Sequence, residues 1–294
     1  MATKNWTGAT SGDINVAGNW SPSGVPSSGD TVWFNSSAVV AVTAGLTQWS
    51  STAPDAVNVT SGYTGTIGTF ASPLTLAATT INVGLPEGGT AGTGSGRLHI
   101  AFGSVTFTAN IHTTASTATD TGVYPLRIKG GNASSVINLF SGSLSHADQP
   151  GESATVGTLY NIGGTVNQGS GVTQTTVTSL SGAISTASGG TTANIHGGTY
   201  RDTGVGAWTT ASIGGSASFG STGTVTTLNV TGQGTADFTT VSGSKTITNC
   251  NADNGATITD PLARVVFTNG IIPSLCSAAD LTLNLGVGRK VTPA

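Results

Sequence analysis

Ile162-Gly163-Gly164-Thr165-Val166, Leu180-Ser181-Gly182-Ala183-Ile184, Ile195-His196-Gly197-Gly198-Thr199-Tyr200, Ile213-Gly214-Gly215 running on to Phe219, and Val230-Thr231-Gly232 running on to Phe238 are five versions of one phrase. Each is a β-type hydrophobe, a glycine two residues on, and a second apolar side chain a few residues later. The first hydrophobes lie 18, 15, 18 and 17 residues apart. A period near 17 in a stretch rich in Thr, Ser and Gly predicts an all-β fold of one kind, a parallel β-helix (β-solenoid) with one repeat per coil. The apolar positions would face inward, one layer per coil. Glycine would supply the corners, where φ is positive, and Thr and Ser would suit the outer β surface without adding charge. Five coils at the spacing of paired strands would stack to about 24 Å.

Around this repeat the chain divides into four expected segments. Residues 1–60 hold four of the five tryptophans, Trp6, Trp20, Trp33 and Trp49, and read as an N-terminal cap or attachment segment. Thr31–Phe34, Val39–Val42 and Ala56–Val59 are its strand candidates, with dense turn signals between. Residues 61–154 form a less regular β region of early coils, with strands expected near 74–76, 80–83, 97–100, 105–108, 126–129 and 136–140. Pro86–Gly96 and Ser145–Ser153 read as loops. Residues 155–265 are the regular solenoid, and 266–294, with the alternation Leu281–Leu285, a C-terminal cap. Caps are needed because both ends of a solenoid are open sheet edges.

Composition narrows the function. Charged residues make up 7% of the 294, against about 25% in ordinary globular chains. A net charge of −3 with nine scattered Lys and Arg carries no footprint for nucleic acid, and no basic amphipathic stretch or long apolar run suggests a membrane. Met1–Trp6 shows no apolar leader, so synthesis and assembly in a cytoplasm are expected. Cys250 and Cys276 have no metal-ligand spacing and read as buried thiols.

Catalytic constellations are hard to find. Glycosidase chemistry needs paired carboxylates, yet Asp120, Asp148, Glu152, Asp202, Asp237, Asp253 and Asp260 stand apart in sequence. Arg127-Ile128-Lys129 matches a tripeptide of polygalacturonase-like enzymes, but no acidic motif precedes it. Arg201-Asp202 reads as a solvated corner. His99, His112, His146 and His196 lack metal-ligand spacing, and Gly232-x-Gly234-x-x-Asp237 reads as turn chemistry. No catalytic residue, cofactor or metal is therefore expected. The tryptophans are the candidate partner-binding residues, because Trp anchors interfaces and stacks on sugars.

Gly18-Asn-Trp-Ser-Pro-Ser-Gly-Val-Pro-Ser-Ser-Gly-Asp-Thr-Val32 resembles a motif that opens many bacterial autotransporter-like and bacteriophage β-helical repeat proteins. Val59-Thr-Ser-Gly-Tyr-Thr-Gly-Thr-Ile-Gly68 resembles the strand-turn repeats that follow it in phage virion proteins. Together they cover about a tenth of the chain. Autotransporters carry a signal peptide and a C-terminal barrel, so the resemblance implies the phage branch: capsid decoration proteins, head or tail fibres and tailspikes, commonly trimeric. The expectation is a non-enzymatic virion surface protein, a homo-trimer, docked on the major capsid protein or another virion protein through Trp6, Trp20, Trp33 and Trp49. The alternative is a carbohydrate-binding adhesin or receptor-binding tail fibre with a glycan partner. A polysaccharide-degrading β-helix enzyme is the third reading.

Overall fold

The structure, a computed structural model, describes residues 1–87, 97–114, 125–274 and 281–286. It falls into two compact units, residues 1–147 with 152–157 and residues 148–151 with 158–294. Each is a parallel β-helix in which the chain alternates between two sheets. No α-helix occurs among the described residues.

In the first unit, Thr3–Trp6, Thr31–Phe34, Ala56–Thr60, Thr80–Leu85, Thr108–Ile111 and Val136–Leu139 stack in parallel in one sheet. The hairpin partner Trp20–Ser21 is antiparallel to Thr3–Trp6. Leu74–Leu76, Leu98–Phe102, Leu126–Lys129 and Ser143–His146 stack in the other sheet. Equivalent positions Trp33, Asn58, Asn82, Asn110 and Asn138 lie 24 to 28 residues apart, so these coils are wider than the repeat that predicted the fold.

In the second unit the equivalents Thr178, Asn194, Ser212, Asn229 and Asn251 are spaced 16, 18, 17 and 22. The period near 17 is real, but two of the expected inward hydrophobes are not its markers. Leu180 is half exposed, and the backbone aligns Asn161, Ser179, Ile195, Ile213 and Val230 as the buried row. The cause is in the turns. Asn161 donates from Nδ2 to the Gly164 and Ser181 carbonyls at 3.1 Å, and its Oδ1 accepts from Gly164 N at 2.9 Å. Ser179 Oγ donates to the Ser181 carbonyl at 3.2 Å. Two inward slots are given to side chains that satisfy turn backbone, which moves Ile162 and Leu180 one place outward. Phe219 and Phe238 are likewise displaced by two. Ala217 and Ala236 occupy the Val166–Ile184–Tyr200 row, and the two rings stack at 5.1 Å one inward position further on.

Other expectations shift locally. Val39–Val42 forms no strand beyond the isolated parallel bridge of Val42 to Ile67; the Val40 carbonyl accepts instead from Trp6 Nε1 at 3.0 Å and Tyr63 OH at 2.8 Å. The strand expected at 105–108 begins at Thr108. Ser145 and His146 belong to a strand and are fully buried rather than exposed in a loop. Leu281–Leu285 does pair, through Thr282–Asn284 on Thr257–Thr259. The glycine-rich stretch after Glu87, Cys276 and Asp120 lie outside the described residues.

One outward row was missed. Asn82 Nδ2 donates to Asn58 Oδ1 at 2.7 Å, and Asn110 to Asn82 and Asn138 to Asn110 at 2.9 Å each. Stacked carboxamides suit a parallel ladder, since each both donates and accepts. Asn110→Ala removes two of these bonds and Asn138→Ala one. At about 1 kcal/mol per bond, the urea midpoint of the first unit should fall roughly twice as far in Asn110→Ala. Equal shifts would mean that the amides act independently.

Candidate functional site

The four tryptophans have different fates. Trp6 and Trp49 are fully buried and Trp20 nearly so. Their rings pack with Phe34 and Tyr63 at centroid distances of 5.1 to 5.9 Å, and Trp20 Nε1 donates to the Ile14 carbonyl at 2.9 Å. This cluster is the core of the first coils. Only Trp33 keeps side-chain surface, because Val32 and Phe34 point inward and strand alternation turns it outward.

Trp33 lies in a groove lined by Thr3, Asn5, Asn35, Thr60, Pro86 and Glu87. Register places Asn5 and Asn58 on either side of it in the same row. The Glu87 carboxylate accepts from Ser36 Oγ at 2.6 Å, Thr60 Oγ1 at 2.7 Å and Ser36 N at 3.0 Å. The Ser36 and Thr60 hydroxyl bonds hold its pKa below the usual carboxylate value. A half-buried indole, two carboxamides and a fixed carboxylate make a surface with an aromatic anchor and a polar rim.

A second cluster lies on the other sheet of the same unit. Arg127 and Lys129 share one face of their strand, and both meet Glu152, at 2.9 and 3.3 Å. Arg127 sits over the Phe70 ring, 4.2 Å from its centroid. His99 precedes Arg127 in the same row, and Phe70, Pro73, His99, Arg127, Lys129 and Glu152 line a small pocket. Burial first, then Arg127 and Arg97, depress the His99 pKa to about 4, so the imidazole is neutral at pH 7. The acids are thus less isolated in space than in sequence. Glu152 arrives from the chain just after the loop at 148–151 and completes what Arg127-Ile128-Lys129 began.

Arg201-Asp202 is not a solvated corner. Arg201 is exposed, but Asp202 points inward and is fully buried. It accepts from Ser221 Oγ and lies 3.7 Å from the equally buried Lys245 ammonium. Lys245 comes from two coils further on, so no local pattern announced it. Asp237 caps its own turn, accepting from Thr239 N and Oγ1 at 2.9 Å each. His146 is buried, with a pKa depressed to about 4, and His112 stacks on Phe140 at 4.9 Å. Cys250 is buried, its thiol pushed up to about 12. Among the described residues no three His, Cys, Asp or Glu side chains are grouped to hold a metal ion, and no helix is long and apolar enough to cross a membrane.

Comparison with protein-family models, with curated proteins and with solved structures finds no match to this chain.

Proposed function

We propose that this protein is a non-enzymatic structural component of a phage virion, of the capsid-decoration or head-fibre kind. In this reading it attaches through the outer face of its N-terminal unit to the major capsid protein or another virion protein. The observation that carries the reading is the sorting of the tryptophans. Three are spent on the core, while Trp33 lines an outward groove among Thr3, Asn5, Asn35 and Glu87. A half-buried Trp within a polar rim is the usual anatomy of an interface anchor. A stack of hydrogen-bonded coils makes a rigid carrier for it, and repeated copies on a symmetric shell would multiply a weak contact. The docking assignment thereby narrows from four tryptophans to one.

The test is co-sedimentation of purified protein with capsids that lack it. Trp33→Ala should leave the folding stability within about 1 kcal/mol of the parent, as outward substitutions do. It should weaken attachment at least tenfold, the loss of about 1.4 kcal/mol or more expected of an anchor. Full attachment by Trp33→Ala would end the assignment. The carbohydrate reading draws on the same groove, because the indole sits beside carboxamides and a fixed carboxylate. Attachment to host glycan in place of capsids, lost in the same variant, would favour it.

A further inference from the structure

Trp33 interrupts a row that is otherwise built of amides. Register sets Asn5, Trp33, Asn58, Asn82, Asn110 and Asn138 on successive rungs of the outer face of one sheet. Asn82, Asn110 and Asn138 each donate to the carboxamide one rung before, at 2.7 to 2.9 Å. An indole donates but does not accept, so Trp33 ends this ladder at Asn58 and separates it from Asn5. Core packing does not ask for a ring at this rung, because Val32 and Phe34 on either side fill the inward positions. The ring remains partly exposed on an open groove of about 380 Å³, room enough to admit a long side chain.

The charge in that groove has one sign. Among the described residues that line it, Glu87 alone is charged. The bonds Glu87 accepts come from uncharged groups, the Ser36 hydroxyl and amide and the Thr60 hydroxyl. They fix the carboxylate and favour its ionised form without neutralising it. Lys4, between Thr3 and Asn5 in the chain, turns inward and donates to the Pro22 and Ser23 carbonyls at 3.0 Å each. An aromatic face and an unneutralised carboxylate in one groove are the complement of a cation. A guanidinium suits both, because it stacks flat on an indole while its edge donates to a carboxylate. We propose that the Trp33 groove receives an arginine side chain of a partner protein, with the guanidinium against the indole and its N–H groups on Glu87. The partner protein comes from the docking reading above; the preference for a guanidinium comes from the groove alone.

NMR of the full-length chain, labelled at its indole nitrogens, tests this through the signal that Trp33→Ala removes. The probes are N-acetylarginine amide, its neutral isostere N-acetylcitrulline amide, and glucose. The arginine amide should move that signal saturably in the millimolar range, and the other two should bind about fivefold more weakly or worse. Glu87→Gln keeps the shape and removes the charge. It should weaken the arginine amide about fivefold at an unchanged melting temperature, and about 0.5 M salt should weaken binding to the parent. The salt series keeps the question decidable if Glu87→Gln fails to fold. The proposal is overturned by no saturable shift up to about 100 mM arginine amide, by equal binding of citrulline amide or glucose, or by indifference to Glu87→Gln. Capsid attachment separates it from the docking reading. Loss of attachment in both Trp33→Ala and Glu87→Gln supports the two together. Loss in Trp33→Ala alone keeps the groove as the docking site and removes arginine as its occupant. Full attachment by both variants ends the docking assignment, while saturable arginine-amide binding would still uphold the guanidinium site.

Discussion

Gly130→Ala is expected to disrupt the first unit, whereas Gly29→Ala in the same unit leaves it folded. Both glycines have positive φ, +83° and +86°, so both alanines carry the same left-handed penalty of about 1–2 kcal/mol. What differs is the space. A Cβ on Gly29 meets nothing nearer than the Met1 side chain at 3.9 Å, ordinary van der Waals contact. A Cβ on Gly130 overlaps the Phe102 carbonyl, a backbone group that cannot swing aside. Gly130 is also a joint between coils. Its amide donates to the Ser153 carbonyl and its own carbonyl accepts from Thr155 N, each at 3.0 Å, while Gly131 N reaches back to the Gly103 carbonyl at 2.7 Å. Moving the chain enough to admit a methyl group disturbs these bonds, each worth about 1 kcal/mol. The combined loss is about 4–5 kcal/mol, in the range that marks a specific structural failure. Tryptophan fluorescence in urea reads the first unit through its buried indoles. Similar midpoints for the two variants would refute the steric account.

How much of this was legible beforehand depends on the range of the interactions. The solenoid was legible because its signal is local and repeated: a hydrophobe, a glycine corner, a hydrophobe. The outward fate of Trp33 was also available, in the alternation of Thr31-Val32-Trp33-Phe34. So were the asparagines at 58, 82, 110 and 138, whose spacing tracks the wide coils. What hid the register was chemical substitution within the pattern. Asn161 and Ser179 occupy apolar slots because they hydrogen-bond turn backbone, and a search for hydrophobes steps past them. What hid the polar clusters was distance. Arg127 meets Glu152 across 25 residues and Asp202 meets Ser221 across 19, separations set by coil length and not by any local motif. A solenoid converts one sequence period into one step of the stack, so its side-chain partners are found by adding a coil. Coil length varies from 16 to 28 residues in this chain, and that variation defeats a fixed-period search.

Lys245→Met is expected to cost the second unit about 3–5 kcal/mol, and Lys245→Met combined with Asp202→Asn to restore most of it. Lys245 and Asp202 are both fully buried. The ammonium donates to Ser221 Oγ at 2.9 Å, the Gly223 carbonyl at 2.6 Å and the Ser221 carbonyl at 3.3 Å, and Ser221 Oγ in turn donates to Asp202. The Phe219 ring lies 5.5 Å from Nζ. Burial raises the Asp202 pKa above 3.8 and lowers that of Lys245, so each charge is tolerated only for the sake of the other. Methionine fills the lysine's volume but strands a carboxylate in the core; the double variant removes both charges and keeps the shape. The pH dependence separates this from a simple packing defect. Lys245 is one of the groups holding the Asp202 pKa down, so its removal raises that pKa further. A carboxyl with a raised folded-state pKa gives its full contribution below its unfolded pKa and loses it as pH rises through the folded value. The deficit of Lys245→Met relative to the parent should therefore be largest at neutral pH and shrink toward pH 4. The double variant should show no such trend. Thermal unfolding of the three proteins across that range decides it: a deficit independent of pH would assign the loss to packing, and a double variant no more stable than Lys245→Met would show that the carboxylate was never the burden.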